Sequence, residues 1–349
     1  MYQAHGWLKR GLRKSGTFFE IRAAMLCWVL FLSLSLIATA ETCQTAGDMD
    51  PATQTAITNT ALRYFDLVAK GDAASLRQSA IPGVAADFSG IASTISNNQS
   101  ALAGSKGSVR PPFVLQTEGT APTTRAEFFC GVFGGRGQTS NSAVFTLNNL
   151  PPGKYGVAIV DSTTPKGPYT VSLILEQLGS EWKLGGLYIK SGQSAGHDSN
   201  WFVSKAHDFQ TKGQMHNAWL YYLEARALIS PLPFMSTAAT DKLYDESQKL
   251  QPADLPAEGK TVDLPAAGAT YKVTALFPEV VGNDLDLIVR YQAANVSDTN
   301  RAYQSNVAVM KAVLAKYPEF RDAFVGVVAR AVDPGGRDYG TLLAMKDIK

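Results

Sequence analysis

A chain of 349 residues, of which 45% are hydrophobic and 18% charged, is long enough for two or three domains with their own cores. This composition excludes wholesale disorder and collagen-like repetition. Residues 1–40 carry five of the 32 basic and one of the 30 acidic residues, so residues 41–349 have 27 basic and 29 acidic residues and a net charge of −2. No Lys/Arg cluster follows Arg22, and nucleic acid is therefore excluded as a partner.

Residues 1–40 have the three parts of a secretory signal peptide. Basic residues at positions 9–22 precede the apolar run Ala23–Ala40, and Ala38-Thr39-Ala40 is a small-x-small cleavage site before Glu41. We expect an exported protein, periplasmic or secreted. The alternative is an uncleaved segment that anchors the chain, which would then be its contact with the membrane, although the run is short for a spanning helix.

Two cysteines, Cys43 and Cys130, remain after the predicted cleavage site. An even number of cysteines in an oxidising compartment predicts one disulfide, which would join the mature N-terminus to a strand. Two unpaired thiols are the alternative, because the distance between the residues does not follow from the sequence.

Residues 41–192 are expected to form an α+β domain with leading helices. Asp50-Pro51 is a helix N-cap followed by proline at the first helical position, and apolar residues then recur on one helical face as far as Val68. Asp72 caps a second short helix, and residues 83–108 have only weak periodicity. Six β-rich runs follow: Pro112–Gln116, Ala126–Phe133, Ala143–Leu147, Tyr155–Asp161, Tyr169–Gln177 and Trp182–Lys190. Their short spacings favour an antiparallel meander, because parallel crossovers need long connections.

The order of these elements resembles the nuclear transport factor 2-like cone, also called the cystatin-like α+β fold. The resemblance rests on YFDLVAKGDAASLRQSAIP (Tyr64–Pro82) and SEWKLGGLYIK (Ser180–Lys190). It implies a curved sheet and a leading helix that enclose a pocket, which some members use for catalysis and others for binding. The alternative is an Ig-like sandwich of the prealbumin type, to which VFTLNNLPPGKYGVAIVD (Val144–Asp161) is similar. The leading helix favours the cone.

Residues 193–252 change to helical periodicity. Residues 201–233, WFVSKAHDFQTKGQMHNAWLYYLEARALISPLP, resemble one tetratricopeptide repeat, with Gly213 at the turn between two helices. A third helix around Thr237–Leu250 would cap this hairpin. One repeat does not stand alone, so we expect the hairpin to pack on its neighbours.

Residues 253–268 are interpreted as a Pro/Ala linker, and residues 269–349 as a small ββαββ domain. Alternating residues predict strands from Tyr271 and from Leu285, a helical stripe ends at Tyr317, and a final hairpin turns at residues 333–336. The predicted class is therefore α+β, with an antiparallel-sheet cone, a helical hairpin and a C-terminal ββαββ α/β sandwich. As a whole, the chain resembles uncharacterised exported bacterial proteins, which implies an architecture but no chemistry.

The segment YIKSGQSAGHDSN (Tyr188–Asn200) contains the G-x-S-x-G pattern of a serine-hydrolase nucleophile elbow at Gly192–Gly196. An elbow needs a buried parallel strand before the serine and a helix directly after it. Here the preceding strand belongs to the predicted meander. No histidine follows His216, and His207 and His216 lie on the helical hairpin, too soon after the serine for the separate strand that would carry the histidine of a triad. We interpret the segment as a linker and predict no catalytic residue. Because the histidines also lack metal-ligand spacing, no metal or cofactor is expected.

Aromatic residues are the predicted binding groups. Those that could line a pocket in the cone are Tyr64, Phe65, Phe128, Trp182 and Tyr188, for which ordinary core packing is the alternative. Trp219, Tyr221 and Tyr222 could face a partner, because neighbouring helical residues point about 100° apart and the three cannot share one stripe. For these three residues, docking between the chain's own domains is the alternative.

The expected function is that of a non-enzymatic protein that binds a protein partner or a small apolar ligand. A hydrolase or isomerase acting in the cone pocket is the alternative, because steroid-isomerase-like members of the resembling fold pair an acidic base with a Tyr or acid donor in that cavity. The acids of the predicted sheet lie at strand ends or beside turns and offer no such pair: Glu127, Asp161, Glu176 and Glu181.

Overall fold

A computed structural model describes residues 41–133 and 138–349, so the predicted signal peptide and its cleavage site lie outside the described residues. Eight α-helices and fourteen strands, arranged in three sheets, are found in these two ranges. The prediction of a mixed α+β class with antiparallel sheets is confirmed. Within the same ranges, no helix has the length and apolar character needed to cross a membrane.

The elements are numbered in chain order. The helices are α1 (Pro51–Lys70), α2 (Ala73–Gln78), α3 (Pro82–Ala86), α4 (Ser89–Leu102), α5 (Ser199–Thr211), α6 (Met215–Ile229), α7 (Ala238–Gln248) and α8 (Thr299–Lys316). The strands are β1 (Thr42–Gln44), β2 (Gly107–Val109), β3 (Phe113–Thr117), β4 (Thr123–Cys130), β5 (Ala143–Leu150), β6 (Gly153–Thr164), β7 (Gly167–Leu178), β8 (Glu181–Ser191), β9 (Met235–Ser236), β10 (Val262–Ala266), β11 (Ala269–Val281), β12 (Asp284–Gln292), β13 (Gly326–Val332) and β14 (Asp338–Ala344).

Helix α1 packs across the first sheet. The Asp50 carboxylate caps it by accepting from the Thr53 amide at 2.8 Å, and Gly71 ends it in the left-handed conformation. Its stripe of Ile57, Tyr64, Phe65 and Val68 is buried with apolar residues of the sheet. Helix α4 was not predicted, because its Ser- and Asn-rich sequence is a weak helix former and its helical conformation is supported by the few side chains that it buries.

The expected meander is divided between two sheets. Strands β1, β3, β6, β7 and β8 form the first sheet in that order, with β2 paired to β6, whereas β4 and β5 form a separate sheet with β9. All of these pairs are antiparallel. The division follows from the continuous apolar run in β6, where Val157 and Ile159 are buried on one face and Ala158 and Val160 on the other. A sheet that is apolar on both faces needs a layer on each.

The disulfide between Cys43 and Cys130 is confirmed. The two Cα atoms are 5.2 Å apart, within the ordinary range for a disulfide. Cys43 lies in β1 of the first sheet and Cys130 in β4 of the second. The bond therefore joins the two sheets covalently.

The helical hairpin and the C-terminal sheet share one hydrophobic core. The C-terminal sheet has the order β10-β11-β12-β13-β14, in which β12 and β13 are parallel and helix α8 connects them. Strand β10 lies inside the range 253–268, which was expected to be a linker. It is part of the sheet because its residue Leu264 is buried in the shared core. The Pro and Ala residues around it conceal the strand pattern.

Candidate functional site

The five aromatic residues predicted to line a pocket do not converge. Tyr64, Phe65 and Trp182 are packed in the core under α1, where the Tyr64 hydroxyl donates to the main-chain oxygens of Ser79 and Trp182, each at 3.1 Å. Phe128 is buried in a different core, between the first and second sheets. Tyr188 is 38% exposed and packs edge-on against Phe234. All of these residues except Tyr188 are therefore packed as core residues.

The three aromatic residues of the hairpin are also buried in the chain's own core, at 7% exposure or less. The Tyr221 hydroxyl donates to the Ala323 main-chain oxygen at 2.6 Å, and Tyr222 packs against His207. Trp219 belongs to the same core. The surface that Trp219, Tyr221 and Tyr222 were expected to offer a partner is thus covered, and the hairpin docks on the C-terminal sheet.

Ser194, His197 and Asp198, the candidate catalytic residues in and after the G-x-S-x-G pattern, have structural roles. Ser194 is 4% exposed and forms a tight turn with His197, in which each amide donates to the other residue's main-chain oxygen at 2.9–3.0 Å. His197 stacks on Trp201 at 3.7 Å, and the Asp198 carboxylate caps helix α5. The three side chains that a hydrolase triad would need are therefore not aligned with one another.

An acid and a tyrosine do lie side by side at Glu176 and Tyr155, which are direct partners across β7 and β6. Burial raises the pKa of the Tyr155 hydroxyl to about 12, and the Glu176 carboxylate adds to the increase. The Tyr155 hydroxyl donates to the Pro151 main-chain oxygen at 2.8 Å and is 6% exposed. The pair therefore lacks a free donor that faces a substrate.

The best candidate site is a cleft of about 840 Å³ between the first sheet and the end of helix α6, which we call the Pro231 cleft. Its lining comes from β2 and the turn before it, from β6, β7 and β8, and from the end of α6. Its residues are Gly104, Ser105, Lys106, Ser108, Arg110, Asp161, Ser162, Thr163, Pro168, Tyr169, Thr170, Lys190, Ser191, Gly192, Leu228, Ile229, Ser230 and Pro231. This volume is within the range of known ligand pockets.

Strand register builds the floor of the Pro231 cleft. Ser108, Asp161, Thr170 and Lys190 are consecutive partners across β2, β6, β7 and β8. Residues that are directly opposite each other in paired strands point to the same face of a sheet. This row therefore presents a polar stripe on the face opposite to helix α1.

Asp161 is fully engaged at the centre of this stripe. Its two carboxylate oxygens accept from Nε and Nη2 of Arg110 at 2.7 Å each, and the Thr170 hydroxyl donates to Oδ1 at 3.2 Å. This fork-to-fork geometry is the strongest form of an Arg–carboxylate pair. The single acid among the described residues that line the cleft is therefore neutralised by its neighbours.

Lys190 joins the cleft floor to helix α6. Its ammonium donates to the main-chain oxygens of Ala227 and Ser230, the latter at 3.0 Å. These are carbonyl groups at the helix C-terminus, where a positive charge is favoured. Burial lowers the pKa of Lys190, and the nearby Glu224 carboxylate partly opposes this effect.

A second, more apolar cavity of about 430 Å³ adjoins the Pro231 cleft. The two share Arg110, Ile229 and Pro231. We call the second one the side cavity. Its apolar lining residues are Pro111, Phe113, Ile159, Ile229, Pro231, Met235, Ala238 and Ala239.

Sequence reasoning did not identify the Pro231 cleft. Polar residues on one face of an antiparallel strand are ordinary, so Asp161, Thr170 and Lys190 gave no signal one by one. The only feature that they share in the sequence is that each is a polar residue in one of three successive β-rich runs. Register and the docking of α6 bring them together.

Metal ligation has no candidate among residues 41–133 and 138–349, since no three His, Cys, Asp or Glu side chains lie close enough to hold an ion. His216 has carboxylates on both sides, with Nδ1 2.6 Å from Glu319 Oε1 and Nε2 3.0 Å from Asp254 Oδ1. This arrangement ties α6 to the C-terminal region.

No protein-family model matches the chain, and neither a curated protein nor a solved structure was found to be similar to it.

Proposed function

We propose that this chain is an exported, non-enzymatic protein that binds a small ligand in the Pro231 cleft. The observation that carries the proposal is the cleft itself, which has the volume of a ligand pocket and combines a polar stripe on the sheet with apolar residues at the end of helix α6. A protein partner is less well supported, because Trp219, Tyr221 and Tyr222 are buried.

Export is supported by the predicted signal peptide and by the disulfide. Disulfides persist in oxidising compartments such as the periplasm and the extracellular space. The Cys43–Cys130 bond joins two sheets and is thus part of the folded core region rather than an isolated surface bond. A protein that uses this bond for stability is suited to such a compartment.

The finer fold relationships are part of the same proposal. A cone-like first domain is supported by helix α1 lying on an antiparallel sheet, and a tetratricopeptide-like unit by the pairing of α5 with α6 and the capping position of α7. The C-terminal order of strands around α8 supports a small α/β domain. In this proposal the ligand lies outside the cone, on the sheet face away from α1.

The enzymatic alternative has weaker support. A general base must be free to take a proton from the substrate. Asp161, the acid of the cleft, accepts three hydrogen bonds from Arg110 and Thr170. The Tyr155 hydroxyl already donates to a main-chain oxygen, and the Glu176 carboxyl group is partly buried, which raises its pKa.

Native mass spectrometry tests the proposal. The protein would be purified gently from an exporting bacterial host and sprayed intact. We expect an added mass that is lost on denaturation. The same measurement on Ser108→Trp should show no added mass, because the exposed Ser108 lies on the cleft floor and an indole there fills the cleft without disturbing the core.

Ser180→Trp is the matched control. Ser180 is exposed in the turn between β7 and β8, away from the cleft, so this variant should keep the adduct. An adduct retained by Ser108→Trp, or a bare mass for the wild type even after incubation with a small-molecule extract of the host envelope, would contradict the proposal.

A further inference from the structure

The Pro231 cleft offers hydrogen-bond donors that the protein leaves unused. Lys106 makes no hydrogen bond or ion pair with any described residue, so its three N–H groups are free. The Lys190 ammonium uses two of its three donors on main-chain oxygens. The Arg110 guanidinium uses two of its five on Asp161, which leaves three. The site therefore has spare donors on three cationic side chains.

The charge balance of the cleft is positive. Arg110 and Asp161 neutralise each other, and Asp161 is the one acid among the described residues that line either the cleft or the side cavity. Lys106 and Lys190 remain without a carboxylate partner in contact. Burial lowers the pKa of Lys190, and the nearby Glu224 carboxylate opposes this effect only in part. A bound anion would supply the missing acceptors and the missing charge together.

The side cavity supplies a different environment next to these cations. Phe113, Ile159 and Met235 are almost completely buried in the core beneath it, and Ile229 and Pro231 form the boundary that it shares with the cleft. A ligand that crosses this boundary meets cationic donors on one side and, on the other, a cavity lined by these apolar side chains together with the polar residues Thr139, Ser140, Asn141, Ser142 and Thr237. Such a division matches a molecule with an acidic head and an apolar tail.

We propose that the ligand is a small amphipathic anion, with a carboxylate-type head between Lys106, Lys190 and Arg110 and an apolar tail in the side cavity. This inference rests on the proposed function, because it assigns a chemical class to the ligand of the same cleft. It replaces the purely apolar ligand expected from the sequence.

Isothermal titration calorimetry with three probes tests the inference: decanoate, 1-decanol and inorganic phosphate. We expect decanoate to bind about tenfold or more tightly than either of the others, because only decanoate satisfies both halves of the site; a charge-assisted hydrogen bond is worth at least this factor. Lys106→Gln should weaken decanoate binding about fivefold and leave 1-decanol unchanged, since Lys106 is exposed and its contribution is screened.

Two further variants complete the design. Ala239→Trp fills the side cavity from an exposed helix position, and it should weaken decanoate and 1-decanol while leaving phosphate unchanged. Lys311→Gln is the matched control, because Lys311 is exposed on α8 and lines neither the cleft nor the side cavity, and it should change none of the affinities.

The outcomes separate this inference from the proposed function. Equal binding of decanoate and 1-decanol, equal binding of decanoate and phosphate, or an unchanged decanoate affinity in Lys106→Gln would each overturn the amphipathic anion. If none of the probes binds but the native adduct disappears in Ser108→Trp, the inference fails and the cleft remains a ligand site. If the adduct is also absent, both fail.

Discussion

At the scale of single residues, buried ionisable groups lie where the first sheet meets helix α6. Lys190 donates to the carbonyl end of α6, and Glu224 lies one helical turn before that end. Burial raises the pKa of Glu224, while a hydrogen bond from Ser194 and the charge of Lys190 partly lower it. The conspicuous serine of the G-x-S-x-G segment thus serves as a neighbour of this acid rather than as a nucleophile.

Glu224 makes the stability of the protein depend on pH. Because its pKa is higher in the folded than in the unfolded chain, the folded state binds more protons once the pH rises above about 4.5, the ordinary value for glutamate. Its contribution to the free energy of unfolding is therefore fully present below that pH and is lost as the pH rises through the raised, folded-state pKa. Glu224→Gln should remove this contribution, so its stability relative to the wild type should increase with pH across that interval.

Urea unfolding at a series of pH values measures the effect. Glu246→Gln is the matched control, because it makes the same exchange at a partly exposed glutamate on a different helix, α7. A stability difference between Glu224→Gln and the wild type that stays constant with pH, or that falls as the pH rises, would refute the assignment.

At the scale of elements, the disulfide connects parts of the fold that hydrogen bonding leaves separate. Strand β1 pairs with β3 in the first sheet, whereas β4 pairs with β5 in the second. The Cys43–Cys130 bond closes a loop with a sequence separation of 87 residues. Closing a long loop restricts the unfolded chain more than closing a short one.

We expect the double variant Cys43→Ser/Cys130→Ser to lose about 4–5 kcal/mol of unfolding free energy, the value that the loop-closure model gives for a loop of this length. Urea unfolding followed by tryptophan fluorescence measures the loss. The wild type in a reducing buffer is the control for the substitutions themselves and should approach the double variant. Equal stability of the oxidised wild type and the double variant would show that the bond does not support the fold.

At the scale of the whole molecule, the helical hairpin and the C-terminal sheet behave as one body because they have one core. Phe320 lies at their junction, where it is fully buried and packs against Tyr317 and Phe324, and its neighbour Ala323 accepts the hydrogen bond from Tyr221 of the hairpin. The first sheet has separate cores under α1 and under the second sheet. Loss of packing at Phe320 should therefore reduce the stability of the helical hairpin and of the C-terminal sheet equally.

Phe320→Ala should lower the free energy of unfolding of this body by about 3–5 kcal/mol, the usual cost of removing a buried phenylalanine. Native-state hydrogen exchange should show the same loss of protection in α6 and in β12 and β13, with little change in α1. Loss confined to β12 and β13, with α6 still protected, would mean that the hairpin folds independently. Phe133→Ala, at an 80% exposed phenylalanine, is the control and should leave exchange unchanged.

Much of the local structure could be predicted from the sequence. The caps at Asp50 and Asp72, the stripe on α1 and the six β-rich runs are patterns among residues close in the chain. The same patterns failed where propensity is weak, as in α4, and where proline and alanine hide a strand, as in β10. In both places buried contacts with distant residues support an element that the local sequence does not specify.

By itself, the sequence determined the mixed α+β class and the elements with strong periodicity, and it favoured a disulfide between the two cysteines that follow the predicted signal peptide. Only the tertiary structure decided how the strands are shared among three sheets, which aromatic residues are buried and where a ligand-sized cleft lies. The physical reason is the range of the interactions. Capping and periodicity act within a few turns of chain, whereas the row from Ser108 to Lys190 exists only after four strands have taken their register and α6 has docked beside them.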